Sequence, residues 1–167
     1  MMSLFVLAAV SKAGLQSLYA LQREAGLQPG GIQPVLRQLQ ADGLINRSEQ
    51  GKRRRRQLTV TAKGEETLSH AWQNCLRDYT DAESTLRATA VALFMRQPRI
   101  ASAYLRGSAQ TYERDQPSLS EVVTDQIVPL EFYNRMRLGW ERARRKCAAT
   151  LFRQLADELE NLSRRGD

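Results

Sequence analysis

The sequence predicts a mainly α-helical chain with one small β-hairpin. Three observations predict it. Apolar residues recur at helical spacing through roughly the first 40 positions. Alternation of polar and apolar residues appears clearly in one place, beside five consecutive cations, Lys52–Arg56. From Ala62 onward nearly every segment again repeats apolar residues at steps of three and four. The 167 residues suffice for one ordinary domain, or a small domain with an appendage. With 42% hydrophobic residues a packed core is feasible.

Leu4, Leu7 and Ala8 predict a first helix over about 3–12, stopped near Gly14. This apolar start resembles the core of a signal peptide only superficially. It is short, lacks a basic leading region and runs straight into folded pattern, so it reads as a core helix. Ser17 can cap a second helix whose Leu18, Leu21 and Ala25 share a face, with Gly26 at its end. After the turn Leu27–Gly30 come Ile32, Val35, Leu36 and Leu39, an amphipathic third helix closed by Gly43. Pro34 is expected in its first turn, where a missing N–H costs little.

Leu44–Arg47 reads as a strand, Ser48–Gly51 as a turn signal, and Gln57–Thr61 as a second, half-buried strand. The hairpin is expected to carry all five cations at its tip. Beyond it, Leu68, Trp72, Cys75, Leu76 and Tyr79 form one stripe. Asp81 begins a helix with Leu86, Ala90, Leu93 and Phe94, and Pro98 opens another with Ile100, Tyr104 and Leu105. Residues 113–117 read as a loop, and Ser118 with Glu121 has the spacing of a capping box. The longest pattern covers about 130–163. Two regions are expected, 1–66 and 67–167.

Several functional classes find no support. There is no Gly-rich phosphate loop, nucleophile elbow or metal-ligand cluster, so an enzyme, a cofactor and a metal are not expected. Glu65 and Glu66 are adjacent and point apart on a helix, so they are not a facing carboxylate pair. His70 is the single histidine, expected to be structural or at the surface. Cys75 and Cys147 have no metal spacing and read as small apolar residues in a reducing cytoplasm, redox sensing being the alternative. No apolar run approaches the roughly 20 residues that span a bilayer, so no membrane association is expected.

What remains is a basic chain, net charge +7, suited to a polyanion. Helix, helix, turn, helix, then a basic hairpin is the order of a winged helix–turn–helix. Burial of Ile32, Val35, Leu36 and Leu39 would turn Gly31, Gln33, Arg37, Gln38 and Gln40 outward, and Gln and Arg can bond base edges in a major groove. Gln28 in the turn, and Gly30 and Gly31 after it, would let the helix N-terminus approach a phosphate. Lys52, Arg53, Arg54, Arg55 and Arg56 would meet phosphates or enter the minor groove. Like charges so close together repel, and nucleic acid is the commonest reason for them. The expected partner is therefore double-stranded DNA. The alternative is a winged-helix scaffold that binds protein, which has no need of five cations.

Residues 14–68 resemble the PadR family of transcriptional regulators. The stretch Gly30–Ile45 resembles the family's recognition helix, with its Pro and its Leu-x-x-x-Gly-Leu-Ile ending. Val60–Gly64 resembles the Leu-Thr-x-x-Gly signature after the wing. Leu130–Met136 is similar, more loosely, to the start of the family's C-terminal dimer helix. Gln33 stands where the family often has an aromatic. MarR-like regulators share the winged fold and the Leu-Thr-x-x-Gly element. The resemblance implies a homodimeric repressor.

Tyr133, Met136, Trp140, Ala143, Cys147, Leu151, Leu155 and Leu159 recur at alternating steps, a coiled-coil-like seam. It would pack either on the chain's own helix 66–79 or, as favoured here, on a second copy. Trp72 and Trp140 would then fill core space near the symmetry axis, or line a pocket for a small apolar effector.

Overall fold

The computed structural model describes residues 1–50, 55–77, 81–114 and 128–165, with side chains left undescribed at 49–50, 55–56, 128–135 and 165. The protein is mainly helical, with one two-stranded antiparallel sheet. Two compact units are present, Met1–Pro98 and Arg99–Asp167. The expected functional boundary near residue 66 falls within a helix of the first unit. The pattern around Ser118 and Glu121 lies outside the described residues, as does Tyr79.

The first unit is organised around α1 (Met2–Ser11). Phe5, Val6, Leu7, Ala8, Ala9 and Val10 are all buried, so this helix is covered on every side. A helix that is apolar all round belongs at the centre of a core, and helices Pro29–Ala41, Ala62–Ala71 and Ala82–Phe94 and strand Arg55–Val60 pack on α1. In α2 (Leu18–Arg23) the Ser17 hydroxyl accepts from the Ala20 N–H at 3.1 Å, the expected cap, and Leu21 is buried. Gly26 then turns the chain with φ +64°.

Helix α3 (Pro29–Ala41) starts earlier than its apolar pattern. Pro29 occupies the first position, where its fixed φ suits a helix start. Pro34 therefore lies inside the helix, not in its first turn. Its ring nitrogen cannot donate, so the Gly30 carbonyl lacks its usual helical partner. Ile32, Leu36 and Leu39 are buried as expected, while Val35 is only half-buried.

The hairpin strands β1 (Ile45–Gln50) and β2 (Arg55–Val60) are longer than their alternation suggests. Pairing runs from Ile45 opposite Val60 to Gln50 opposite Arg55. Ser48, Glu49 and Gln50 are thus strand residues, not turn. Glu49 and Gln50 stand opposite Arg56 and Arg55, and that pairing extends the ladder.

A 10-residue helix, α4 (Ala62–Ala71), tightens at its end into a 3-10 segment, Trp72–Leu76. It begins against the base of the hairpin, where only glycine fits. A Cβ on Gly64 would lie 2.2 Å from the Leu44 carbonyl oxygen and 2.6 Å from a Val60 methyl. Helix α5 (Ala82–Phe94) is capped by Asp81, whose carboxylate accepts from the Ser84 N–H at 2.9 Å. It buries Thr85, Ala88, Thr89, Val91 and Ala92, not the expected stripe, and Leu86 and Leu93 are exposed. The physical reason is local. The Thr85 and Thr89 hydroxyls donate to the carbonyls of Asp81 and Thr85, at 2.9 Å each, so these threonines enter the core with their polar atoms satisfied. The helix packs on α1, with the Phe5 and Phe94 rings 6.1 Å apart.

In the second unit α6 (Pro98–Arg114) and α7 (Val128–Arg165) run antiparallel. The Ser102 hydroxyl reaches the Ala156 carbonyl and Glu160, while the Tyr112 ring stands edge-on to Phe152, centroids 5.5 Å apart. Ala101, Leu105, Ala109, Ala149, Phe152 and Ala156 are buried. Ile100, expected in this core, is exposed. Arg106 bridges Asp157 and Glu160, and Arg153 pairs with Glu113.

Candidate nucleic-acid interface

On α3 each residue advances about 100° around the axis. Arg37 lies across from the buried line of Ile32, Leu36 and Leu39 and is exposed. Gln38 is exposed too, but its amide donates to the Asp42 carboxylate at 2.8 Å. Gln33, expected on the same outer face, is half-buried. It follows Ile32 by one residue and so flanks the core instead of opposing it. Gln28, Gly30 and Gly31 are exposed around the start of α3, where the Gln28 carbonyl accepts from the N–H groups of Gly31 and Ile32.

Of the cation run, Lys52, Arg53 and Arg54 lie outside the described residues. Arg55 and Arg56 belong to the backbone of β2. Part of the run therefore belongs to the second strand, and it is not wholly a tip.

The base of the hairpin is fastened to the end of α3. Lys63 Nζ donates to the Asp42 carbonyl at 2.9 Å, and Thr61 Oγ1 to the Gly43 carbonyl at 2.7 Å. The Thr61 N–H donates to the Leu44 carbonyl. The same Thr61 hydroxyl caps α4 by accepting from the Gly64 N–H. Val60–Gly64 thus joins three elements: threonine for two hydrogen bonds, glycine for the close approach, lysine for the Asp42 carbonyl at the cap of α3. On the hairpin's other edge, the Leu58 N–H donates to the Gln16 carbonyl at 2.7 Å, and Gln57 to the Gln16 side chain.

Two residues take positions that the sequence reading did not assign them. Glu65 accepts from Ser11 Oγ and, at 2.7 Å, from Lys12 Nζ, tying the end of α1 to the start of α4. The Lys12 and Ser11 hydrogen bonds hold its carboxyl below the usual range. Arg47 pairs with Leu58 and so shares the inner face of the hairpin, and its Nε has no hydrogen-bond partner among the described residues. Its alternation with buried Ile45 was the available signal.

Cys75 is buried, and burial pushes its thiol pKa up; the Sγ donates to the Trp72 carbonyl at 2.7 Å. Such a thiol is poorly ionised and poorly nucleophilic. Trp72 is buried in the first unit, whereas Trp140 on α7 is 68% exposed. Met136, Cys147 and Leu151 of the expected seam are also exposed, and Leu155 and Leu159 half-buried. Tyr133 lies on α7 with its side chain outside the described set. Among the described residues no helix is long and apolar enough to cross a membrane. No protein-family model matches the chain, and no curated protein or solved structure is significantly similar to it.

Proposed function

We propose that this chain is a sequence-specific DNA-binding transcriptional regulator, a winged helix–turn–helix protein of PadR-like type that acts as a homodimer, and a repressor by that resemblance. One observation carries the reading: a hairpin with a run of cations is fastened by Thr61 and Lys63 to the end of a helix whose outer face bears Arg37. A cationic arm in fixed relation to an exposed helix face suits simultaneous contact with phosphates and a major groove. Arg37 is the leading base-reading residue. Gln33 and Gln38 are weaker ones, the first half-buried and the second engaged by Asp42.

The dimer reading rests on α7. Met136, Trp140, Ala143, Cys147 and Leu151 make an exposed line on the helix. A line of this length fits a second copy of the same helix, and two-fold regulators read paired half-sites about one helical turn of DNA apart.

The test is selection of bound sequences from random duplex DNA, followed by titration of the selected site. Changing Arg53, Arg54, Arg55 and Arg56 together to Ala is expected to abolish tight binding and flatten the salt dependence, by roughly 0.9 in log–log slope per lost phosphate contact. Arg37→Ala is expected to weaken the selected site more than random DNA, by about 1–3 kcal/mol. Failure to enrich any sequence, with no binding to random duplex, overturns the reading in favour of a protein-binding scaffold.

A further inference from the structure

The apolar stripe of α5 that stays out of the core borders a groove. Its volume is about 540 Å3, and its walls include Phe5, Leu15, Leu27, Leu86, Ala90 and Phe94. That size falls within the range of roughly 300–1,000 Å3 usual for small-molecule sites, which are mostly apolar with few polar groups. All of its lining belongs to the first unit. Leu86, one of its lining residues, is 38% exposed, so this side of α5 faces solvent at the groove.

The charges at the groove decide what it fits. Glu24, Glu83 and Arg87 are its ionisable lining groups. Arg87 is already paired with Glu83, one turn away on α5. Glu24 is exposed and makes no ion pair among the described residues. An apolar wall beside one unneutralised carboxylate favours a ligand with a hydrophobic body and a protonated amine. A carboxylic acid would meet a lining with two carboxylates against one guanidinium.

We propose that this groove is a binding site for a small hydrophobic amine, with the apolar body against Phe5, Leu86 and Phe94 and the ammonium at Glu24. The site abuts the connection from α2 to α3. Ala25, Gly26 and Leu27 line it, and the next residue, Gln28, holds the first turn of α3 through its carbonyl. Leu27 is itself buried, its N–H donating to the Leu21 carbonyl. A ligand against Leu27 therefore touches the segment that sets where α3 begins. The coupling of this site to DNA rests on the function proposed above; the binding does not.

The experiment uses the full chain without DNA and three probes of matched body: 4-phenylbutylamine, 4-phenylbutanol and 4-phenylbutyrate. Isothermal titration at neutral pH is expected to show saturable binding, with the amine at least five-fold tighter than the alcohol and the acid weakest. Glu24→Gln, an exposed change, is expected to bring the amine to the alcohol's affinity. Ala90→Phe, which fills the groove, is expected to abolish binding of both. Equal affinities of amine and alcohol in the unmodified protein, or no saturable binding of the amine, overturn the assignment. A second titration, of duplex DNA with and without saturating amine, reads the coupling, expected to be at least a three-fold change in affinity. An unchanged affinity overturns the coupling and leaves the binding standing. Loss of all DNA binding in the unmodified protein instead counts against the proposed function alone.

Discussion

Helices α3 and α7 have similar apolar spacing and opposite fates. In α3 the predicted line is the buried line: Ile32 and Leu39 are 1% exposed and Leu36 is fully covered. In α7 the predicted line faces out, with Met136 at 57% and Trp140 at 68% exposure. The residues α7 covers are others, Leu138, Ala149, Phe152 and Ala156. Periodicity says that a helix has an apolar face; it does not say what covers it. Helix α3 is short and enclosed by its own unit. Helix α7 has 38 residues, outruns the 17-residue α6, and carries two apolar lines.

The sharpest way to break this comparison is to charge the outer line. Trp140→Glu with Leu151→Glu is expected to convert the proposed dimer wholly to monomer in sedimentation equilibrium, while the helical circular dichroism of the chain persists. A doubly substituted protein that still sediments as a dimer would show that the line is not the interface. Next in size is a matched pair of truncations. Leu36→Ala removes a fully covered side chain and is expected to cost about 2–5 kcal/mol in urea unfolding. Leu151→Ala, at a position 43% exposed, should fall within about 1 kcal/mol when measured at concentrations too low for association. Equal losses would erase the distinction between the two faces.

Gly64→Ala extends the contrast to a point of backbone contact. The added methyl meets the Leu44 carbonyl at 2.2 Å, and α4 must shift from the hairpin. A destabilisation of about 1–3 kcal/mol is expected, with a matching fall in thermal midpoint. Gly31→Ala, at an open helical position, should be mild by comparison.

The smallest effect concerns the exposed tie between α1 and α4. Because the folded state lowers the Glu65 pKa, its contribution is complete above the unfolded value near 4.5 and fades as pH falls through the lower folded value. The difference in stability between the unmodified protein and Glu65→Gln should therefore shrink on acidification below about pH 4.5. With both partners partly exposed, the effect at neutral pH is expected to stay under about 1 kcal/mol. A difference that grows on acidification would contradict the lowered pKa.

Much of the fold was legible because its signals are local. Ser17 and Asp81 cap helices as their side chains dictate, and Gly14, Gly26 and Gly43 take the left-handed conformations that end helices, at φ +71°, +64° and +70°. The core line of α3 was legible apart from Val35. What stayed hidden either carries no strong apolar signal or depends on a partner strand. The inner face of α5 is built from two threonines, two alanines and Val91, and the threonine hydroxyls are satisfied within their own helix, so no line of large apolar residues announces it. Strand pairing carried β1 past an apparent turn signal, since opposite backbone groups decide where a ladder ends.

For the candidate interface the division is similar. Local spacing and charge already put a helix with Arg37 outward before a hairpin rich in cations, because they are properties of neighbours along the chain. Packing leaves Gln33 half-buried, engages Gln38 with Asp42, and uses Thr61, Lys63 and Gly64 to join the hairpin, α3 and α4. Those outcomes depend on which groups meet after the chain returns on itself, and no residue's identity contains that alone.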